Sequence, residues 1–313
     1  MFIFSLIFRY LVALSRGNVS TPTWLAPVAL CVVLSGCSAT RLGYDFLPGW
    51  SQWQIDGWLS IDDEQRAIVS RHLDEVHAWH RRTQLPAYIE MLRQFEDELN
   101  ALDPAVPIDA VRVARWRVRI TDLWAPLAER LAPGLAELAV TLRPEQIERL
   151  RRRLAESDAK WRERFLPDRA RDREQARGDR IIKRAEFFLG RLDRAQEREL
   201  RALAAALPAS EEVWFAERQQ RNRALLAFFE TMARDRPPPP EAQRRAREWL
   251  LAFWLPRDPR RARQLDEAVA ASDQLSAQMF ARATPAQRAH LLKTARGYSQ
   301  DFVALSGATA AAR

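Results

Sequence analysis

The sequence predicts an all-α fold, a multi-helix bundle of antiparallel helices, and three observations predict it. Glycine is scarce, 10 of 313 residues, while proline reaches 18, the reverse of ordinary usage of about 7% and 5%. Sheets use glycine in tight hairpin turns, and this chain has little for that purpose. Ala, Leu, Arg, Glu and Gln dominate, all good helix formers. Apolar residues also recur at three- and four-residue spacing between the prolines, the period of a helix that buries one face. With 47% hydrophobic residues the chain can bury a sizeable core, so a wholly disordered chain is excluded.

The elements follow in order. Residues 1–36 hold Arg9 and Arg16 and no acid, and the run from Trp24 to Leu34 is apolar, too short to span a bilayer as a helix. The run ends in Leu34-Ser35-Gly36-Cys37, so 1–36 reads as a lipoprotein signal peptide. Cys37 then supplies the thiol that receives lipid, with small residues before the cut. Residues 37–60 form a Trp-rich tether or strap with Tyr44, Phe46, Trp50, Trp53 and Trp58, and Pro48-Gly49 reads as a turn. The helical body spans 61–305, read as eight to eleven helices, and 306–313 is a tail expected to fray. The first body helix opens at Asp62 with Gln65 three residues on, and Pro86 kinks or restarts it before Tyr88–Leu102. Asp103-Pro104 and Pro107 break the chain. Ile108–Leu131 reads as a long helix kinked at Pro126, followed by a short one over Leu135–Leu142. Then come Glu145–Phe165, Asp168–Leu189 with Gly190 as its C-cap, Asp193–Leu207, Ser210–Arg234, a polyproline spacer over Pro237–Pro240, Glu241–Leu255, Asp258–Ala283 and Thr284–Leu305.

One start signal recurs: Asp62-x-x-Gln65, Arg143-x-x-Gln146, Asp193-x-x-Gln196 and Thr284-x-x-Gln287. Asp or Thr accepts from the free N–H groups of the first turn and Gln reaches back. Arg143 cannot accept, so that copy is imperfect. The repetition reads either as reuse of a good start signal or as a faded duplication of helical hairpins.

The stretch Arg41-Leu42-x-Tyr44, Leu47-Pro48, Asp56, Asp62-Asp63, Gln65, His77-x-Trp79-His80-Arg81 and Leu85-Pro86-x-Tyr88, with a later Leu189-Gly190-x-Leu192-Asp193-x-x-Gln196, resembles an uncharacterised family of proteobacterial lipoproteins. Those proteins carry a domain of unknown function directly after a lipobox. The resemblance implies a helical, envelope-anchored protein and supplies no activity and no catalytic residue. Among the lipoproteins that the chain resembles, Ser38 in place of an acid after the cysteine implies the outer membrane, on its periplasmic face, ahead of the inner one.

The remaining candidates for chemistry divide into ordinary and sharper readings. Asp74, His77 and His80 nearly share a helical face, but a metal needs three or four convergent ligands, so a packed His/Trp contact between helices is favoured and no metal or cofactor is expected. Trp50, Trp53, Trp58, His77, Trp79 and His80 form a possible partner-docking set, and the Trp-rich opening could equally be a membrane-interface element; packing of the strap into a groove of the body is favoured over both. Three of the 49 Lys+Arg residues are lysines and the formal charge is +8. Arginine runs occupy 149–153, 169–180 and 257–263. Export would remove nucleic acid as a partner and leave an envelope protein or an anionic envelope polymer. The many Glu/Arg pairs at helical spacing favour solvated, ion-paired faces contributing about 0.3–0.5 kcal/mol each. No GxSxG, HExxH, Walker or GxGxxG motif occurs. The reading is therefore a lipid-anchored, monomeric or weakly associating protein that works by binding, in a structural, assembly or accessory role. A periplasmic holdase is one rival, since the Asp/Thr-x-x-Gln starts are similar to the LTxxQ signature of small stress chaperones. An envelope hydrolase or lipid-handling enzyme is the other.

Overall fold

The computed structural model describes residues 39–102, 106–256 and 258–307. The leader, the lipobox Leu34–Cys37, the Asp103-Pro104 break, Arg257 and all but the start of the 306–313 tail lie outside them. The protein is all-α, with no strand among the described residues. In chain order the helices are α1 (Ala39–Asp45), α2 (Leu47–Leu59), α3 (Asp63–Trp79), a π turn (His80–Gln84), α4 (Leu85–Ala101), α5 (Ala110–Asp122), α6 (Trp124–Thr141), α7 (Pro144–Phe165), α8 (Ala170–Leu189), α9 (Arg194–Ala205), α10 (Glu211–Asp235), α11 (Pro239–Leu251), α12 (Pro259–Ala281) and α13 (Pro285–Ser306).

Proline placement explains where the reading above needs correction. Pro48 sits in the first turn of α2, where a missing N–H removes nothing, so the expected Pro48-Gly49 turn is helix. Pro239 and Pro240 likewise open α11 rather than extending a spacer. The helix expected over 108–131 is divided at Leu123, because Pro126 lies in the first turn of a new helix, α6. That helix then runs unbroken past Pro133 to Thr141. Beside Pro133, Gly134 is where α3 crosses: a Cβ there would lie 2.7 Å from the Cβ of His72. Gly190 ends α8 with φ +74, as its spacing predicted.

Three cores hold the helices. The largest joins α3, α6, α7, α10 and α11 through Val69, Ala132, Leu150, Phe229 and Leu250. A second joins α8, α9 and α12 through Ile182, Ala185, Leu200 and Met279. The third, Tyr44, Leu85, Tyr88, Phe302 and Leu305, joins α1, α4 and α13.

The four glutamine starts come together in pairs. Gln65 and Gln146 exchange amide hydrogen bonds, Gln65 Nε2 to Gln146 Oε1 at 3.1 Å and Gln146 Nε2 to Gln65 Oε1 at 2.7 Å. Gln196 and Gln287 do the same at 2.9 Å in both directions. Each Oε1 also accepts from the N–H of its own cap residue. Each Nε2 also donates to the carbonyl two residues ahead of the partner's cap, Thr141, Ser60, Arg282 and Arg191 respectively. Every amide donor and acceptor is thereby used, and two helix N-termini are clasped, α3 to α7 and α9 to α13. Before each cap stands a buried apolar residue, and eight positions on stands another: Ile61/Val69, Leu142/Leu150, Leu192/Leu200 and Ala283/Leu291. Arg143, which accepts nothing, instead donates to Asp62 Oδ2 at 2.5 Å across the clasp.

Candidate functional site

From the clasps, α3 and α13 run to a common meeting place, and the residues gathered there are the candidate site. It begins with a proline. Pro86 has no N–H, and its ring would clash with the carbonyl one turn back. The helix relaxes by admitting an extra residue: the Leu85 N–H reaches the His80 carbonyl, five residues back, a π turn of the kind often found where side chains must be re-aimed. The turn brings His80 and Gln84 inward, and both are buried.

His80, 2% exposed, is held between two tyrosines. Its Nδ1 lies 2.9 Å from the Tyr44 hydroxyl and its Nε2 3.2 Å from the Tyr88 hydroxyl. The burial that excludes water pushes the imidazole pKa down to about 3, so it stays neutral, with one ring nitrogen donating and the other accepting. The same burial, opposed by Arg81, lifts the Tyr44 phenol to about 12, and burial also raises Tyr88. His77 donates from Nε2 to the Tyr44 carbonyl at 3.1 Å and its ring packs on the Tyr44 ring at 4.6 Å. Burial foremost, then Arg81, lowers the His77 pKa. Phe302 of α13 closes the cluster against Tyr88 at 5.9 Å. Two ion pairs fasten α1 across the site: Arg41 Nε to Asp301 of α13 at 2.9 Å and Arg81 of the π turn to Asp45 at 2.6 Å. The Tyr44, His80 and Tyr88 polar groups satisfy one another, while the buried Gln84 Oε1 beside them accepts no hydrogen bond; the cluster acts as a joint that positions α1, α4 and α13.

The structure divides the docking set predicted from the sequence. His80 is internal and His77 is half-buried against Tyr44. Trp58 packs against the main core. Trp79 lies half-buried with its ring edge to His80, and Trp50 is half-buried. Trp53 alone of the set is open to solvent, 60% exposed. The other two histidines are used locally: His72 Nε2 stands 2.7 Å from Glu137 Oε2, and the His290 ring covers the Cα of Gly190. Asp74 is exposed, and among the described residues no group of three or more His, Cys, Asp or Glu side chains converges as a metal site would require. Some arginines of the runs tie helices together, while Arg152 and Arg153 pair within α7 with Glu148 and Glu156. Arg177 and Arg180 share Glu211, Arg261 reaches Glu217, and Arg151 pairs with Glu148 and Glu230. An open cleft of about 380 Å³ lies over Arg162, Asp168, Arg173, Glu212 and Phe215.

Sequence reasoning placed Tyr44 and Phe46 in the strap without a specific role, gave Tyr88 none, and left Phe46 and Leu42 out of the docking set. The signal for the last two was present: once 39–59 is read as helix, Leu42, Phe46, Gly49 and Trp53 fall at i, i+4, i+7 and i+11, one face.

Residues 57–252 match the model of a family of unknown function, DUF6279. The chain belongs to that family. The matched span starts near the end of α2 and holds the whole Gln65–Gln146 clasp and the core around it, so a DUF6279 domain is at least this clasped set of helices. The resemblance read from the sequence, to a family with a domain of unknown function, is met over residues 57–252. No curated protein and no solved structure matches the chain.

Proposed function

We propose that this DUF6279 protein is an envelope lipoprotein, anchored through a diacylated and N-acylated Cys37 on the periplasmic face of the outer membrane. On this reading it works by binding an envelope protein, in a structural, assembly or accessory role. The observation that carries the reading is the order of features: two arginines and no acid, an apolar run, Leu34-Ser35-Gly36-Cys37, and then a helix that starts two residues later. No helix among the described residues is long and apolar enough to cross a membrane, so attachment would fall to the lipid. Several acyl chains, at about 0.8 kcal/mol per buried CH₂, make a stable anchor where one chain is marginal. A protein partner is favoured over an anionic polymer because the arginine-rich face of α11 is paired with its own acids: Arg244 spans Glu241 and Glu248, and Arg245 takes Glu241 and Asp235.

Mass spectrometry of the amino-terminal peptide from the native host tests the anchor. A diacylglyceryl-modified, N-acylated Cys37 at residue one of the mature chain is expected, and Cys37→Ala should release the protein from the membrane fraction. An intact leader with a free thiol would overturn the reading. Crosslinking in intact cells then identifies the neighbour, and capture of lipopolysaccharide or cell-wall polymer in place of a protein would overturn the choice of partner.

A further inference from the structure

The outer face of α1 and α2 departs from every other helix surface described so far. Phe46 continues the helical path between them: its N–H donates to the Leu42 carbonyl at 3.2 Å, and the Trp50 N–H donates to the Phe46 carbonyl at 3.0 Å. Along this nearly continuous rod, Tyr44, Gln54 and Leu59 turn inward. Leu42, Phe46, Gly49 and Trp53 turn outward, with Phe46 72% exposed. Residues 39–59 contain only three charged side chains, and all three are tied back to the body: Arg41 to Asp301, Asp45 to Arg81 and Asp56 to Arg66. The outward stripe therefore carries no charge, in a protein with 29% charged residues. Water is a poor partner for such a stripe, which leaves about 25 cal/mol unclaimed for each Å² of apolar surface.

The place of the stripe in the chain selects its partner. Ala39, the first residue of α1, follows Cys37 by two residues, which reach at most about 7 Å. A lipidated Cys37 holds its own backbone at the membrane surface, so α1 begins within that reach of the head groups. Trp and Phe favour the boundary between head groups and acyl chains, where an apolar ring is buried and a polar edge stays wet. The three charges of the segment are each ion-paired, which lowers the cost of the approach.

We propose that α1 and α2 lie on the bilayer surface, with Leu42, Phe46 and Trp53 entering the interface beside the acyl anchor. The strap then fixes how the body is aimed into the periplasm instead of leaving it on a swivel. The Tyr44–His80–Tyr88 joint and the Arg41–Asp301 pair make α1 rigid with α4 and α13, so the orientation is transmitted to the whole bundle. This inference rests on lipidation of Cys37.

The test uses the full chain, produced and lipidated in its host, purified in detergent and reconstituted into phosphatidylcholine vesicles. Cysteine is introduced singly by Phe46→Cys, Trp53→Cys and, as an aqueous control on α8, Phe187→Cys, each at an exposed position. Nitroxide labels report collision with lipid-soluble oxygen and with a water-soluble nickel complex, and the amino-terminal peptide of the same samples is weighed. The expected result is an oxygen-to-nickel ratio several-fold higher at 46 and 53 than at 187. A lipidated sample with aqueous ratios at 46 and 53 would overturn the interfacial strap while leaving the anchor intact. Labels shielded from both reagents would assign the stripe to a second copy of the chain and overturn the strap equally. An unmodified Cys37 would overturn the anchor and the strap with it, a failure that the peptide mass separates from the others.

Discussion

The two glutamine clasps use one pattern of bonds in two settings. In the Gln65–Gln146 clasp both side chains are buried, at 2% and 4% exposure, and the caps are joined by the Asp62–Arg143 ion pair. In the Gln196–Gln287 clasp Gln196 is half-buried, both caps are ordinary acceptors, and Asp193 and Thr284 each receive an N–H from the first turn. The first rests on the largest core; the second rests on the small core of α8, α9 and α12. Identical local chemistry therefore carries different energetic weight, because an unpaired amide is expensive only where water cannot reach it.

The largest effect should follow from Gln65→Ala. It strands one donor of Gln146 in a buried site and removes the partners of the part-buried Asp62 N–H and Thr141 carbonyl, and it opens a small cavity. A loss of about 2–4 kcal/mol is expected, read by urea unfolding of the full chain followed by circular dichroism. In a cycle with Gln146→Ala the second substitution should cost much less than it does alone, since both remove the same bonds. Additive losses would show that the clasp is not a unit.

Acid should separate the halves next. Amides do not titrate, so neither clasp changes between pH 7 and 5, but α3 ends at His80. The folded pKa of His80 is about 3 against an ordinary 6.5, so the unfolded chain binds more protons between those values. Stability is thus full above pH 6.5 and falls as pH drops through the window. Glu90 and Glu241, held near 2 by their arginines, add to the loss only below about pH 4.5. A loss of about 2 kcal/mol is expected by pH 5, from a slope approaching about 1.4 kcal/mol per unit, with His77 adding in the same direction. Amide hydrogen exchange should quicken at the α3–α4 joint before it quickens in α9. Equal unfolding midpoints at pH 7 and pH 5 would refute the dry imidazole.

These contrasts show what the sequence could carry. Asp62, Asp193 and Thr284 were legible as caps, and Gly190 as a stop, because each acts within one turn of backbone. That Gln65 meets Gln146 and Gln196 meets Gln287 was not legible, because the pairing is tertiary and joins helices 81 and 91 residues apart. The eight-residue apolar frame around each cap was the available clue. Pro86 announced a disturbance but not its kind; whether a helix breaks or takes a π turn depends on what it packs against, here Tyr44 and Tyr88. The candidate site failed in the same way. Its histidines were found, but the burial of His80, which removes it from docking, is set by tertiary packing against Tyr44 of α1 and Tyr88 of α4. The exposed stripe was hidden by reading Pro48-Gly49 as a turn.

Gln196→Ala should cost less than Gln65→Ala, about 1–2 kcal/mol, because water reaches one side of the clasp and solvates the groups left behind. The same urea measurement decides it. A loss equal to that of Gln65→Ala would mean that depth of burial does not set the weight of the clasp, and the comparison between the two settings would fall.

Arg143→Ala gives the smallest change and the sharpest reading of the difference between caps. The Asp62–Arg143 pair is half exposed, 38% and 51%, so its net worth is small and should shrink further as salt screens it. Arg143→Thr removes the pair but installs a hydroxyl that can accept from the Gln146 N–H, as Thr284 accepts from Gln287 in the other clasp. A proper cap contributes about 1 kcal/mol, so the threonine variant should equal or exceed the parent at high salt. If threonine proves as damaging as alanine at every salt concentration, the guanidinium is doing something at this clasp that a helix cap cannot replace, and the two clasps differ in kind and not only in depth.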